Sequence, residues 1–511
     1  MNSQAEIVIG DGAADWQQVV AVARQRQPLR LSDSAWARID EARAAVLAMA
    51  GSGKAHYGIN TGLGALCNVV LAADELQRLS RHTLMSHACG IGEPLRAEQV
   101  RAIMCCAVVN YSHGHSGISR QVVEGLLQML NHDLVPVVPA QGSVGYLAHM
   151  AHIGLALLGV GEVDLAGRRL DAGEALQAIG LAPLTLGPKD GLSLVNGTPA
   201  MTGLACLALA DAYALADWAD IVAAMSFEAL GCQLDAIDPA AIQRKVHVGM
   251  QRSAANLRCL LDGSRVLELT QGERLQDALS LRSIPQVHGA CRDQLRHAAQ
   301  QVVDELNSAT DNPLVVRHGE GHRIISQANP HGESVAMACD LLAIAVCEWS
   351  SIAERRVFRL VTPQASSLPP FLTAEGGVKS GKMIAQYSAA SLVADNKRLA
   401  LPAVTDNFLT SGLQEDHLSL GESAALKLDK ALDNAFQVLA IEYLLAAQAF
   451  DFIAARPFGA GTGRAWQKLR ERIAHYTEEH PLHLDIRASY QLLRDPRTLA
   501  ELREQLAPID C

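Results

Sequence analysis

Several short segments gather the side chains with which this chain could do chemistry. His56-Tyr57-Gly58-Ile59-Asn60-Thr61-Gly62 sets a phenol among glycines, which suits a lid closing over a substrate or a Tyr packed in a tight turn. Ser86-His87-Ala88-Cys89-Gly90 offers an imidazole, although a lone His is more often structural. Asn196-Gly197-Thr198 follows an apolar run, and Pro285-Gln286-Val287-His288-Gly289 is preceded by Asp277 and Arg282. An Arg and an Asn converging on one carboxylate form a common clamp, and an Arg paired with a surface acid looks the same in sequence. All these segments read as loop-like. Two more follow: Asn307-Ser308-Ala309-Thr310-Asp311-Asn312-Pro313-Leu314 could cap helices or bind water, and Gln414-Glu415-Asp416-His417 could be an acid pair at a helix start. Each is ambiguous by itself.

The elements that must position them are mostly helical. Ser32 to Gly51 reads as an amphipathic helix opened by Ser32 and Asp33. Ile7-Val8-Ile9 fits a short strand, Val163 to Leu170 a hairpin turning at Ala166-Gly167, and Leu314 to Ile325 another with Gly319-Glu320-Gly321 at its tip. The glycines between Tyr57 and Gly64 demand a loop, and Pro136 to Gly145 is rich in Pro and Gly. From about Thr202 long helical patterns dominate, among them Val287 to Asn307, Ser334 to Val357 and Ala424 to Ala454. Helices of that length, apolar and poor in aromatics, point to a central bundle shared between subunits. The expected organisation is an N-terminal mixed region, residues 1–200, carrying the lid loop, followed by a helical bundle over residues 201–511.

Composition narrows the function. Of the 511 residues, 49% are hydrophobic, 19% charged and 4% aromatic, which favours helix over a β-sandwich. A net charge of −11 with no basic patch opposes binding to nucleic acid or to an anionic membrane. The 11 cysteines include no CxxC pair, so free thiols in a reducing cytoplasm are expected, and no metal site. The N-terminus lacks a basic region followed by an apolar run, so no signal peptide is expected. The charge-free run from Gly191 to Ala210 contains Asn196, Thr198 and Pro199 and reads as buried helix rather than a membrane span.

Taken in order, the motifs Tyr-Gly-Ile-Asn-Thr-Gly, Ser-His-Ala-Cys-Gly, Gly-Ser-Val-Gly, Leu-Ala-His, Asn-Gly-Thr, Pro-Gln-Val-His-Gly, Thr-Asp-Asn-Pro-Leu and Gln-Glu-Asp-His closely resemble the aromatic amino acid ammonia-lyases, nearest to the histidine type, from about Tyr57 to Leu420. The resemblance implies a mainly α fold with a long central bundle of the ammonia-lyase and fumarase type. It also implies a homotetramer whose active sites draw on three subunits. Carried onto matching positions, it makes Tyr57 the base for the β-proton. Asn196 and Arg282 hold the substrate carboxylate, with Asn329 assisting. His87 and Glu415 fall at the histidine-type positions that contact an imidazole, with Glu415 also exchanging a proton with the ring.

The chain departs from the family at several of these places. Members cyclise an Ala-Ser-Gly tripeptide into a methylidene-imidazolone electrophile; here Gly142-Ser143-Val144-Gly145 runs straight into Tyr146-Leu147-Ala148-His149. Tyr146 stands where the family has Asp and His149 where it has Pro; Ala278 replaces a catalytic Tyr, Pro330 an aromatic and Lys382 a Phe. The electrophile normally alkylates a poor leaving nitrogen, and a quaternary ammonium needs no such help. A cofactor-free elimination of trimethylamine from a small betaine, ergothioneine, giving thiourocanate is therefore expected; hercynine is not separated from it. Tyr146 would face the cation, a contact worth roughly 0.5–2 kcal/mol, or simply fill space. Lys382 would supply a cation or proton donor at the ring end, or be a surface lysine. His149 has no assigned role. The alternatives are a histidine ammonia-lyase that carries the electrophile, its matured tripeptide missing from the written sequence, and a ligand-binding paralogue without turnover.

Overall fold

The computed structural model describes residues 6–52, 55–56, 58–61, 71 and 73–507. The chain is mainly helical, with 60% of residues in helix and 8% in strand. The helix boundaries follow local chemistry. Ser32 caps the Asp33–Ala50 helix by accepting from the Ala35 N–H, and Gly51 ends it. Ala35, Ile39, Ala42 and Val46 are buried along it at helical spacing, one apolar stripe facing the core. Asp15 caps Trp16–Arg24 in the same way, with Gln18 returning the bond.

Strands are short. Ile7–Ile9 runs parallel to Leu29–Leu31; Leu134–Pro136, Glu162–Leu165 and Arg168–Asp171 form an antiparallel sheet. Ala166 and Gly167 both take positive φ, 51° and 79°, as a two-residue hairpin turn requires. Leu314–His318 pairs with Gly321–Ile325 in the second hairpin.

Four long helices, Pro199–Ala229, Ile284–Leu306, Glu333–Val361 and Gly421–Asp451, dominate the rest. Asp190–Ala229 and Glu333–Val361 are apolar and long enough to cross a membrane, but their most apolar windows are 100% and 72% buried within the protein. Helices apolar all round are core helices when covered in this way.

One loop expectation is corrected: the Pro285–Gly289 motif, read as loop-like, lies in the first turns of the Ile284–Leu306 helix, in keeping with the helix expected from Val287 onward. Proline is tolerated there because the missing N–H would have had no intrahelical partner.

The chain divides into two compact units. The first comprises Met1–Ala210, Ala298–Asp340 and Pro402–Leu426, the second Asp211–His297, Leu341–Leu401 and Lys427–Cys511. In the first, the buried Arg101 guanidinium donates to the carbonyls of Val22, Ala23 and Leu130 and pairs with Asp133. In the second, Glu442 accepts from Arg356 at 2.6 and 3.0 Å and from the Ser226 hydroxyl at 2.7 Å, with Trp218 and Tyr443 packed at 5.5 Å. Such buried charges are tolerated because each is paired and hydrogen-bonded.

Candidate active site

In the first unit, the loop that carries Tyr146 links the Pro139–Gln141 strand to the Ala148–Leu157 helix. Gly142 and Gly145 take positive φ, and so does Leu147, at 82°. A branched side chain there is strained by about 1–3 kcal/mol, so neighbouring bonds must hold it. The Ser143 hydroxyl donates to the Tyr146 carbonyl and accepts from the Gly145 N–H. Leu420 N–H donates to Val144 O at 2.9 Å, and Leu147 N–H to Val195 O at 3.1 Å. The last bond ties Tyr146, half-buried, to the segment ending in Asn196.

Asn196 is buried, and its amide nitrogen donates to Asp311 Oδ1 and to Asn312 O at 2.6 Å. Asp311 in turn accepts from the fully buried Lys189 ammonium at 2.7 Å and from Ser193 Oγ at 2.8 Å. The Thr-Asp-Asn-Pro-Leu motif is thus bound to the Asn-Gly-Thr motif, and Asn196 would have to trade one of these bonds for a substrate carboxylate. Tyr57 lies outside the described residues.

A second cluster in this unit was not read as a group from sequence. His331 Nε2 and His417 Nδ1 are 3.0 Å apart with their rings stacked, and the Glu333 carboxylate lies 4.0 Å from His331 Nδ1. Ligand atoms of the three lie within 4.8 Å of one another, so two imidazoles and a carboxylate could hold a divalent cation there. His417 ends the Gln-Glu-Asp-His motif and His331 directly follows Asn329 and Pro330, which is the signal that could have joined them. Two residues before each sits an expected site residue. Asn329 is exposed, bonded through its backbone N–H to Gln327 and through its amide to Ala309 O at 2.9 Å. Glu415 is half-buried and accepts from the Thr410 hydroxyl at 3.1 Å. His87 closes the Ala73–His87 helix, its Nδ1 3.0 Å from Ser86 Oγ.

In the second unit, Arg282 lines a cavity of about 510 Å³ with Gln233, Gln276, Asp277, Ser283 and Gln286. Asp277 accepts from Gln233 N–H at 2.6 Å and pairs with Arg274, so this acid is committed to holding the wall. A guanidinium beside carboxamides in a concave wall is the chemistry of a carboxylate site. Lys382 is fully buried, its ammonium 3.6 Å above the Tyr476 ring and 3.5 Å from Asp485. Burial draws its pKa down to about 8, against the pull of Asp485.

His288, in the Pro-Gln-Val-His-Gly motif, is fully buried and donates from Nδ1 to Asp220 at 2.7 Å. Burial lowers its pKa against that bond. Asp220 also accepts from Ser253, Asn256 and Arg292; burial alone would raise its pKa, but Arg292 and His288 outweigh it and hold the carboxyl far below its usual range. This His is structural.

The residues at the family's electrophile position do not fit that group. Forming it needs an Ala-Ser-Gly run, and Gly145-Tyr146-Leu147 places two large side chains in a loop so close-set that a Cβ on Gly145 would lie 2.5 Å from Ser419 Oγ.

The pattern of the aromatic amino acid lyase family matches residues 14–471. A histidine ammonia-lyase of Symbiobacterium thermophilum is 45% identical over 496 residues, 96% of this chain and 97% of that protein. The crystal structure of histidine ammonia-lyase from Trypanosoma cruzi superposes with a TM-score of 0.91 at 34% identity, covering 98% of this chain and 96% of that one. The ergothioneine-degrading ergothionase of Treponema denticola also reaches 0.91, at 28% identity over 97% of this chain and 100% of that one.

These similarities correct the expectation of trimethylamine release from ergothioneine, because the full-length relatives of higher identity are histidine ammonia-lyases. The reason is physical as well. The expectation rests on departures near Tyr146 and Lys382, whereas His87 and Glu415, at positions that the resemblance assigns to an imidazole ring, would not read whether the α-nitrogen is methylated. By sequence pattern, full-length relatives and fold alike, the chain belongs to the aromatic amino acid lyase family, whose chemistry is carbon–nitrogen bond cleavage.

Proposed function

We propose that this protein is a histidine ammonia-lyase-type enzyme, eliminating the α-nitrogen and a β-proton from histidine or a close imidazole-bearing amino acid. The observation that carries the reading is the 45% identity to a histidine ammonia-lyase across nearly both full chains, with the imidazole-contacting positions kept as His87 and Glu415.

In this reading Arg282, on its cavity wall, and Asn196 and Asn329 are the carboxylate-holding residues, each at the position the family resemblance assigns, in active sites that draw on three subunits. Glu415 and His87 hold the ring. Tyr57 takes the β-proton; the freed electron pair forms the Cα–Cβ double bond as the C–N bond breaks, and the ammonium group departs as ammonia. The Tyr146 ring stabilises the cationic nitrogen before it leaves. Lys382, with its lowered pKa, is a proton donor near neutral pH. The reaction is placed on no electrophile, since the loop does not fit one. The assembly is a homotetramer, and the compartment the cytoplasm.

The test is incubation of purified full-length protein with histidine, following urocanate by its ultraviolet absorbance and ammonia by a coupled assay, with phenylalanine and tyrosine alongside. Urocanate and ammonia should form in equal amounts from histidine alone, and Arg282→Ala should raise KM. Binding of histidine without either product would make the chain a ligand-binding relative and end the assignment.

A further inference from the structure

His149 stands where the family has proline, and the structure gives it a partner 273 residues away. It occupies the first turn of the Ala148–Leu157 helix, immediately after the Tyr146 loop. Its Nε2 donates to the carbonyl of Ala140 at 3.1 Å, on the strand immediately before that loop. One side chain thus closes the base of the loop. Its Nδ1 lies 3.9 Å from Oε1 of Glu422, at the start of the Gly421–Asp451 helix. Both residues are only 2% exposed.

Among the described residues, neither Glu422 carboxylate oxygen has a hydrogen-bond partner, nor does His149 Nδ1 or the neighbouring Ser419 hydroxyl. A buried carboxylate without donors is costly, and among the described residues the group placed to pair with it is the His149 imidazole, 3.9 Å away. A protein gains nothing in stability from such an arrangement compared with an apolar pair of the same shape, so the arrangement calls for another reason.

The geometry supplies one. The segment Ser419–Glu422 touches the loop directly: Leu420 N–H bonds Val144 O, and Ser419 Oγ packs on Gly145. His149 and Glu422 therefore join the strand before the loop, the helix after it and the helix beside its tip. The loop between them holds Leu147 at positive φ and ends in the bond to Val195, next to Asn196.

We propose that His149 and Glu422 are a positioning pair that locks the Gly142–Leu147 loop, and with it the Tyr146 ring, in the conformation used for the elimination; the catalytic part of this rests on the function assigned above.

The test compares Glu422→Gln, His149→Gln and the double variant with wild type, using hydrogen–deuterium exchange of peptides covering residues 139–150 and steady-state kinetics with histidine. Each single variant should raise exchange across residues 142–147 roughly tenfold. Each should lower kcat by about tenfold at nearly constant KM, and the double variant should be little worse than either single one. Glu422→Asp, which keeps the charge, should recover much of the loss. Unchanged loop exchange in Glu422→Gln, or single effects that simply add in the double variant, would overturn the proposal. Wild-type protein inactive on histidine would sink the functional assignment instead, and the exchange data would still decide whether the pair holds the loop.

Discussion

Lys382 costs the fold stability at neutral pH. Its folded pKa falls from the ordinary 10.5 to about 8, so between those values the unfolded chain holds a proton that the folded chain has released. Stability therefore rises with pH through that window, and below it the full penalty stands. The whole difference amounts to about 3 kcal/mol. Urea unfolding should give wild type a climbing stability from about pH 8 to about pH 10, and Lys382→Met should flatten the climb and be no less stable at neutral pH. If the same variant loses about 100-fold in kcat, the lysine works in the reaction, because lost stability would not explain it. Glu415→Gln should likewise cost about 100-fold in kcat if the carboxylate exchanges a proton with the ring, and much less if it only accepts a hydrogen bond. The type of each of these residues was legible in sequence; its environment was not. Lys382 lies about a hundred residues from Tyr476 and Asp485, and no local pattern reports that distant pair.

At the scale of elements, hydrophobic period and caps placed the helices within a few residues, as with Ser32 to Gly51 against an observed Asp33–Ala50. What they missed is that the helix expected from Val287 starts at Ile284, so that all of Pro-Gln-Val-His-Gly is packed helix. Its Gly289 packs on Gly249 and Met250 of the Val248–Leu261 helix so closely that a methyl group on Gly289 would lie 2.3 Å from Met250's backbone, and one on Gly249 2.1 Å from Gly289 O. Gly289→Ala should therefore destabilise the protein by roughly 1–3 kcal/mol, read as a lowered melting temperature, although no substrate contact is removed. In the same motif, Asp220→Asn would break a buried network with His288 and Arg292 and should cost about 3–5 kcal/mol. A motif can mark a family and still owe much of its identity to packing. The His149–Glu422 pair is the opposite case, invisible because its halves sit on elements remote in sequence.

For the whole molecule, the Glu333–Val361 helix carries Met337, Leu341 and Ile344 exposed at helical spacing, 48%, 38% and 41% respectively. A stripe of that kind is covered by another subunit in an assembly built on a shared bundle. Size-exclusion chromatography with light scattering should find a tetramer, and Leu341→Glu with Ile344→Lys should yield smaller species; a wild-type monomer would contradict the expected assembly. The long helices were legible as a bundle because Ala- and Leu-rich runs with few aromatics suit little else. Which parts of the chain cohere was not, since that depends on contacts between remote stretches.

The boundary between the two compact units falls inside all four of the longest helices. No single cut of the peptide chain then separates one unit from the other. The first unit lacks its last segment until residue 426 has been made and the second until residues 427–511 follow, so a ribosome must deliver most of the chain before either can close.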